Sequence, residues 1–345
     1  MPAAARSKAE LLRSGVFSLH QALRLMVAGF ALAVSLAASG ATPVLRPQVE
    51  AFIEEMVQKH GHEPAWLRKL FAQVQTRTSI LRAMATPGTA RPWHEFRRRT
   101  VDSGRIEGGV RFWQENRAAL ERASREFGVS EEIIVATIGI ETVYGRATGR
   151  FKVLDALATL AFGYPPRAEF FRGELEHYLL LARESGLDAA NTRGSFAGAI
   201  GIPQFLPSSY RKYAVDFDGD GRRDLVGSVA DAIGSVANYY RSFGWKPGAS
   251  VVVPVDSGEA EIATLLAAGI KPHMTIAALK SRGLLVQEPV DEAAQAALIS
   301  IETETGPRLM LALDNFYVIT RYNRSINYAM AVHELALAIR AALHR

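Results

Sequence analysis

The chain has 345 residues, more than one small core usually serves, so two or three lobes are expected. Hydrophobic residues make up 48% and charged residues 22%, a globular composition that excludes a mainly disordered chain. The formal net charge is +5, of which residues 1–41 hold +3 through Arg6, Lys8, Arg13 and Arg24 against Glu10; the mild remainder excludes the concentrated basic stripe of a nucleic-acid binder.

Cysteine is absent, which removes disulfides, thiolate metal sites, a cysteine nucleophile and a lipid-modified cysteine. Residues 25–38 form an uncharged, mostly apolar run, with Arg24 before it and Ser39-Gly40-Ala41 after it. A basic start, a short apolar stretch and a small-residue exit describe a secretory signal. Fourteen residues rise about 21 Å as a helix, short of a ~30 Å hydrocarbon core. Residues 1–41 are therefore read as a signal peptide or N-terminal membrane anchor, with the working part outside the cytoplasm.

From Gln48 to about Phe127 the pattern is helical, with Leu67, Leu70, Phe71 and Val74 at three- and four-residue steps, punctuated by Pro64, Pro87-Gly88 and Pro92. Arg97-Arg98-Arg99 reads as a solvated helix face. A second helical block runs from Ser130 to about Tyr240, broken by loops at 163–166, 191–207 and 216–227.

Within it, Ser130 supplies a capping hydroxyl and Glu131-Glu132 the acids of a first helical turn. Eight uncharged residues follow, Ile133 to Ile140, and Glu141 ends the run. Ile134, Ile138 and Glu141 share one face, and continued helical spacing places Gly145 beneath Glu141. A carboxyl group pressed against an apolar face holds its proton to higher pH, as a general acid for a glycosidic oxygen requires. The plainer alternative is a helix-end glutamate turned to solvent or paired with Arg146.

Gly194–Tyr210 is rich in glycine and alanine, which permits close backbone approach, and Gln204 offers a donor and an acceptor. Tight helix packing would use the same small residues. Asp216, Asp218 and Asp220 with Gly221 and Asp224 follow the alternation of an EF-hand loop, although Gly227 stands where the bidentate carboxylate normally falls. Asp231 could supply that ligand from the following helix. An acidic turn without a metal is the alternative.

After Pro247-Gly248 the character changes. Ser250–Val255, Leu284–Val286, Ala297–Glu302 and Leu309–Leu313 read as strands and Glu259–Ala268 as a helix, a small β-rich insert. Asn315–Ser325 joins this insert to a last helix at Tyr328–Leu343. Its Tyr322 and Asn323, with Tyr239 and Tyr328, can stack on and hydrogen-bond a sugar, or be core tyrosines with satisfied hydroxyls.

Together these segments resemble the lytic murein transglycosylases of the membrane-bound transglycosylase B type. The resemblance rests on Ile140–Gly145, Leu154–Leu160, Gly194–Tyr210, Asp216–Gly221, Asp231–Tyr239 and Thr320–Asn323, in order, and spans Gln48 to the C-terminus. It implies a mainly α (α+β) fold, a lysozyme-like helical core with an extra helical lobe and a small β-rich insert. The chain would divide into a helical lobe at 42–127, a catalytic core at 128–247 with its loop at 216–231, the insert at 248–314 and a C-terminal return at 315–345.

The resemblance also implies cleavage of peptidoglycan between N-acetylmuramic acid and N-acetylglucosamine, giving 1,6-anhydromuramyl products, with Glu141 as the single acid and base. Ser195, Gln204, Tyr239, Tyr322, Asn323, Tyr328 and Arg167 would bind sugar. Asp216, Asp218, Asp220, the Arg222 carbonyl and Asp231 would hold a structural calcium, with no cofactor for the chemistry. A monomer in the periplasm or cell envelope, acting on glycan strands, is the implied setting. The segment before Asp231 is one residue longer than in the family's best-known members, Pro166-Arg167 replaces a frequent arginine pair, and Phe96 replaces a common tyrosine. A hydrolytic muramidase would instead need a second carboxylate, with Asp155 and Glu169 the first candidates, and a non-catalytic peptidoglycan-binding scaffold would need none.

Overall fold

The structure is a computed structural model and describes residues 45–85 and 91–344. The signal or anchor expected within 1–41 and the Pro87-Gly88 break lie outside the described residues. Two compact units divide the chain, Met1–Phe52 and Ile53–Arg345. Of the first, only residues 45–52 are described, the opening of helix α1 (Leu45–His60). No helix among the described residues is long and apolar enough to cross a membrane.

The second unit continues with short helices α2 (Pro64–Phe71), α3 (Thr78–Ala85), α4 (Trp93–Thr100), α5 (Ser103–Glu115) and α6 (Arg117–Phe127). Their starts follow local chemistry. Glu63 caps α2 ahead of Pro64, whose missing N–H is no loss in a first turn, and Asp102 caps α5 through Arg105 N. Arg97 and Arg98 of α4 are not merely solvated: they pair with Glu334 and Glu304.

Two helices are apolar nearly all round. In α7 (Glu131–Thr142) every residue from Ile133 to Gly139 is buried, and in α8 (Val153–Gly163) every residue from Val153 to Ala161. Helices without a polar face belong in the middle of a core. Around them pack α9 (Ala168–Ser185) on α8, α11 (Val229–Ser242) on α6 and α7, and α15 (Ile326–Leu343) on α5 and α7. Ser130 does stand at the N-cap of α7, but its hydroxyl makes no capping bond; Glu131 and Glu132 alone complement the first turn.

Two strands of two residues, β1 (Phe151–Lys152) and β2 (Arg193–Gly194), pair antiparallel inside the second helical block, where no strand was expected. They are too short to show an alternation of polar and apolar residues. The insert is a five-stranded antiparallel sheet, order β4-β6-β7-β3-β5, built from β3 (Val252–Asp256), β4 (Met274–Thr275), β5 (Leu285–Val286), β6 (Gln295–Thr303) and β7 (Gly306–Leu313). Ile299 pairs with Met310 and Val253 with Leu311. Helices α12 (Ile262–Ala267) and α13 (Ile276–Ser281) cover one face, closing a core of Val253, Val255, Leu265, Ile276, Leu298 and Leu311. The segment after the insert, expected to be a connection, is itself helical, α14 (Asp314–Tyr322), because Phe316, Val318 and Ile319 are drawn into the core. The mainly α architecture with a small β-rich insert is as the sequence implies.

Candidate active site

Helix α7 stops abruptly after Glu141-Thr142. Val143 and Tyr144 have φ of 51° and 62°, and Gly145 has 84°, three consecutive left-handed residues of which two carry side chains. Such a conformation costs roughly 1–2 kcal/mol for each non-glycine residue, so the surroundings must enforce it. They do so from two sides. The Tyr144 hydroxyl donates to the Arg105 carbonyl at 2.6 Å, and its ring occupies the space that a Cβ on Gly108, Gly109 or Gly139 would need. Opposite, the Thr142 hydroxyl donates to the Ile202 carbonyl at 2.8 Å and accepts from Gly145 N at 2.9 Å. Gly145 therefore does not lie one helical turn beneath Glu141, because the helix has already ended.

The Glu141 carboxylate is partly buried and accepts a hydrogen bond from the Tyr328 hydroxyl at 2.6 Å on Oε1. Desolvation raises its pKa to about 7, against the lowering effect of that hydrogen bond. The helix C-terminus adds to the effect, since its partial negative charge disfavours a carboxylate. Arg146 turns away and donates from Nε to the Val143 carbonyl at 3.1 Å. Aromatic rings surround the acid. Tyr322 stacks on Tyr328 with centroids 6.2 Å apart, and Tyr239 lies 4.8 Å from Tyr322. Burial holds the Tyr322, Tyr328 and Tyr239 hydroxyls well above the usual phenol range, so all three are neutral donors.

Beside this cluster opens a groove of about 630 Å³ whose walls include Arg167, Gln204, Tyr239, Tyr322 and Asn323. Five of the seven residues expected to bind sugar thus meet there. Tyr328 stands behind Tyr322, on the carboxylate. Ser195 is elsewhere, its hydroxyl accepting from Ala197 N at 3.2 Å and Ala199 N at 3.0 Å, so it shapes the loop. That loop is folded so tightly that a Cβ on Gly194 would fall 2.1 Å from the Ala199 carbonyl oxygen. Gln204 gives both amide hydrogens to backbone, the carbonyls of Thr148 and Gly201 at 2.9 Å each, which leaves its amide oxygen as the acceptor it can offer. Arg167 lies over the rings of Phe170 and Phe171 at 4.3 and 5.0 Å.

The hydroxyls of Tyr239 and Tyr322 are donated to the carbonyls of Arg321 and Pro203. These tyrosines therefore offer ring faces and edges, as core tyrosines do, and not free hydroxyls. The groove also gathers Glu174, Arg321 and Arg324, which are not among the residues expected to bind sugar. Glu174 is buried and binds Ser208 N and Oγ at 3.0 and 2.6 Å, at the first turn of α10 (Pro207–Tyr213). An acid on the apolar face beside Leu175 and Tyr178 was the signal that could have found it.

The rival carboxylates fare differently. Asp155 is 2% exposed and binds Gln75 N at 3.0 Å and the Arg77 guanidinium at 3.4 Å, joining α8 to the α2–α3 connection. Glu169 lies exposed in the first turn of α9.

In the acidic loop, carboxylate oxygens of Asp216, Asp218 and Asp231 come within 4.8 Å of one another. Asp231 is fully buried and clasps the loop, accepting from Phe217 N at 2.6 Å and Asp218 N at 3.3 Å on Oδ1, and from Asp224 N at 2.7 Å on Oδ2. Ser228, the N-cap of α11, donates to Asp218 at 2.6 Å. Asp220 accepts from Arg222 N at 2.8 Å on Oδ1, which leaves its Oδ2 open. Three hard oxygen donors of one sign, gathered around a common point, suit calcium.

Glu141 does not itself line the groove but lies next to its tyrosine wall, through Tyr328 and Tyr322. A helical core with one proton-bearing carboxyl group beside a groove is the architecture of a glycan-cleaving enzyme. Residues 45–337 match the model of the transglycosylase SLT domain, and the chain belongs to that family and with it to the lytic transglycosylases. It is 44% identical over 306 residues to membrane-bound lytic murein transglycosylase B of Escherichia coli (strain K12), covering 86% of this chain and 83% of that protein. The catenated lytic transglycosylase SltB1 from Pseudomonas aeruginosa is 44% identical with a TM-score of 0.81, over 86% of this chain and 98% of that one. The Escherichia coli lytic transglycosylase Slt35 in complex with calcium is 43% identical with a TM-score of 0.80, over 87% and 94%. The lysozyme-like fold class and the enzyme class expected from the sequence both hold.

Proposed function

We propose that the chain cleaves the β-1,4 bond between N-acetylmuramic acid and N-acetylglucosamine in peptidoglycan, leaving a 1,6-anhydromuramyl end, with Glu141 as sole acid and base. The observation that carries this is the environment of Glu141: desolvated, ringed by tyrosines, and without a second carboxylate among its described partners. The hydrogen bond from Tyr328 fixes Oε1 and leaves Oε2 to carry the proton. That proton passes to the glycosidic oxygen as the C1–O bond breaks. The carboxylate so formed takes the proton of the muramyl C6 hydroxyl as its oxygen closes on C1. No water enters, and the glutamic acid is regenerated.

Gln204, Tyr239, Tyr322, Asn323 and Arg167 line the path of the strand, and Ser195 holds the loop that presents Gln204. Calcium has a structural part here, held by Asp216, Asp218, Asp220, the Arg222 carbonyl and Asp231, tying the loop to the start of α11. Residues 42–127, 128–247, 248–314 and 315–345 act as helical lobe, core, insert and return, in a monomer working on glycan strands at the cell envelope. Digestion of purified sacculi by wild type and Glu141→Gln tests the reading by product mass. Anhydro products are expected from wild type alone; fragments heavier by roughly 18 Da, the mass of water, would make it a hydrolase.

A further inference from the structure

We propose that the cavity between α2 and the C-terminal end of α9 is a second saccharide site, which holds an N-acetylated glycan segment away from the point of cleavage. It rests on the reading of the chain as a peptidoglycan-cleaving enzyme. The cavity has a volume of about 570 Å³, within the range of small-ligand sites. On one wall stands Trp66, 39% exposed, with part of its indole face open to the cavity. His62 stacks parallel behind it, with centroids 5.8 Å apart and planes 10° from coplanar. His62 is itself only 6% exposed, lines the cavity, and its Nε2 has no hydrogen-bond partner among the described residues. A buried ring nitrogen left unpaired is a rarity, and this one lies just beneath the cavity surface. Burial keeps the imidazole neutral, so it can donate to or accept from a hydroxyl.

The polar groups on the rim sort by whether the fold already uses them. Glu63 is occupied by Ala65 N and Trp66 N, and Asp188 by Ala190 N, Asn191 N and the Asn191 side chain. Both keep their negative charge, and Lys69 and Arg183 on the same rim balance it. Gln73 donates its amide hydrogen to the Lys69 carbonyl, leaving its oxygen as an acceptor, and Lys69 offers an ammonium one turn beyond Trp66. A flat aromatic face beside a hydroxyl-sized donor and acceptor is what the apolar C–H face and polar rim of a pyranose require.

The far wall, Leu187 to Ala190, continues through Thr192 into β2 and then the Ser195–Gln204 loop of the cleavage groove. Tyr178 pins this wall at Ala189 O, and Val153 N bonds Thr192 O, both at 3.0 Å. One segment therefore borders both sites. A polymer bound at both gains effective concentration at the scissile bond, whereas a short fragment bound at one gains nothing.

The test compares intact sacculi with a soluble tetrasaccharide cut from them, using the full chain and the variants Trp66→Ala, Trp66→Phe and Lys69→Ala. Trp66→Ala is expected to raise KM on sacculi by about tenfold with kcat unchanged, and to leave both constants on the tetrasaccharide unchanged. Trp66→Phe should recover most of the loss, and Lys69→Ala should show a smaller rise of the same kind. If Trp66→Ala melts with a broken fold, Lys69→Ala on sacculi decides. Variants that match wild type on sacculi overturn the proposal, as does a loss of equal size on both substrates. Wild type that releases no anhydro product from either substrate overturns the underlying reading instead.

Discussion

Glu141 and the Asp216–Asp231 loop set the same functional group in opposite surroundings within one core. Glu141 stands alone among tyrosine rings with one hydrogen bond, and its pKa rises to about 7. Asp231 is at least as buried, but three backbone N–H groups point at its oxygens, and two further carboxylates stand within 4.8 Å. Burial alone therefore does not decide what a carboxyl group does. Few donors and apolar walls make a proton carrier; many donors and like-charged neighbours make a cation holder.

The comparison breaks most visibly at Glu141. Glu141→Gln should lower the rate of glycan release by about 10³-fold, read as soluble fragments from sacculi. Stability should move the other way. Below pH 4.5 both folded and unfolded chains hold this proton; between 4.5 and about 7 only the folded chain does, so stability falls as pH rises through that window. At pH 8 the amide escapes that penalty, which partial exposure reduces to about 2 kcal/mol, a melting shift of about +3 °C. A variant that is inactive and also less stable would place the acid in a solvated setting.

Chelation attacks the other half. If calcium saturates the loop a hundredfold above its Kd, removing it costs about 2.7 kcal/mol and lowers Tm by about 4 °C, with activity below the melting range retained. A melting curve indifferent to chelator would mean the acids stand without a metal. Gly139→Ala, which brings a Cβ to 2.5 Å from the Tyr144 hydroxyl, should cost about 1–3 kcal/mol by overpacking and lower activity through the turn after Glu141.

Tyr328→Phe removes the bond that favours ionised Glu141, so the alkaline limb of the pH–rate profile should move to higher pH. A shift to lower pH would reverse the role given to that hydroxyl. The smallest effect belongs to the exposed Arg98–Glu304 pair, whose removal by Arg98→Ala should change stability by less than about 1 kcal/mol.

How much of this was legible in the sequence varies with the range of the interaction concerned. Glu141 could be found because the signal is local: a charge closing an apolar helical run. The acidic alternation was local too, and Asp231 could be nominated from one helix turn. The end of α7 was missed since nothing in Val143-Tyr144 announces a left-handed turn; its cause lies in glycines 34 to 36 residues earlier and a loop 60 residues later. Likewise Asp155 looked like a spare acid until the fold set it against Gln75 and Arg77.

Tyr322 and Tyr328, which complete the setting of Glu141, sit beyond the insert, on α14 and at the start of α15. A ribosome has therefore made the acid and its groove loop well over a hundred residues before the phenol that grips it. A chain halted anywhere short of Ile326 carries Glu141 without that grip.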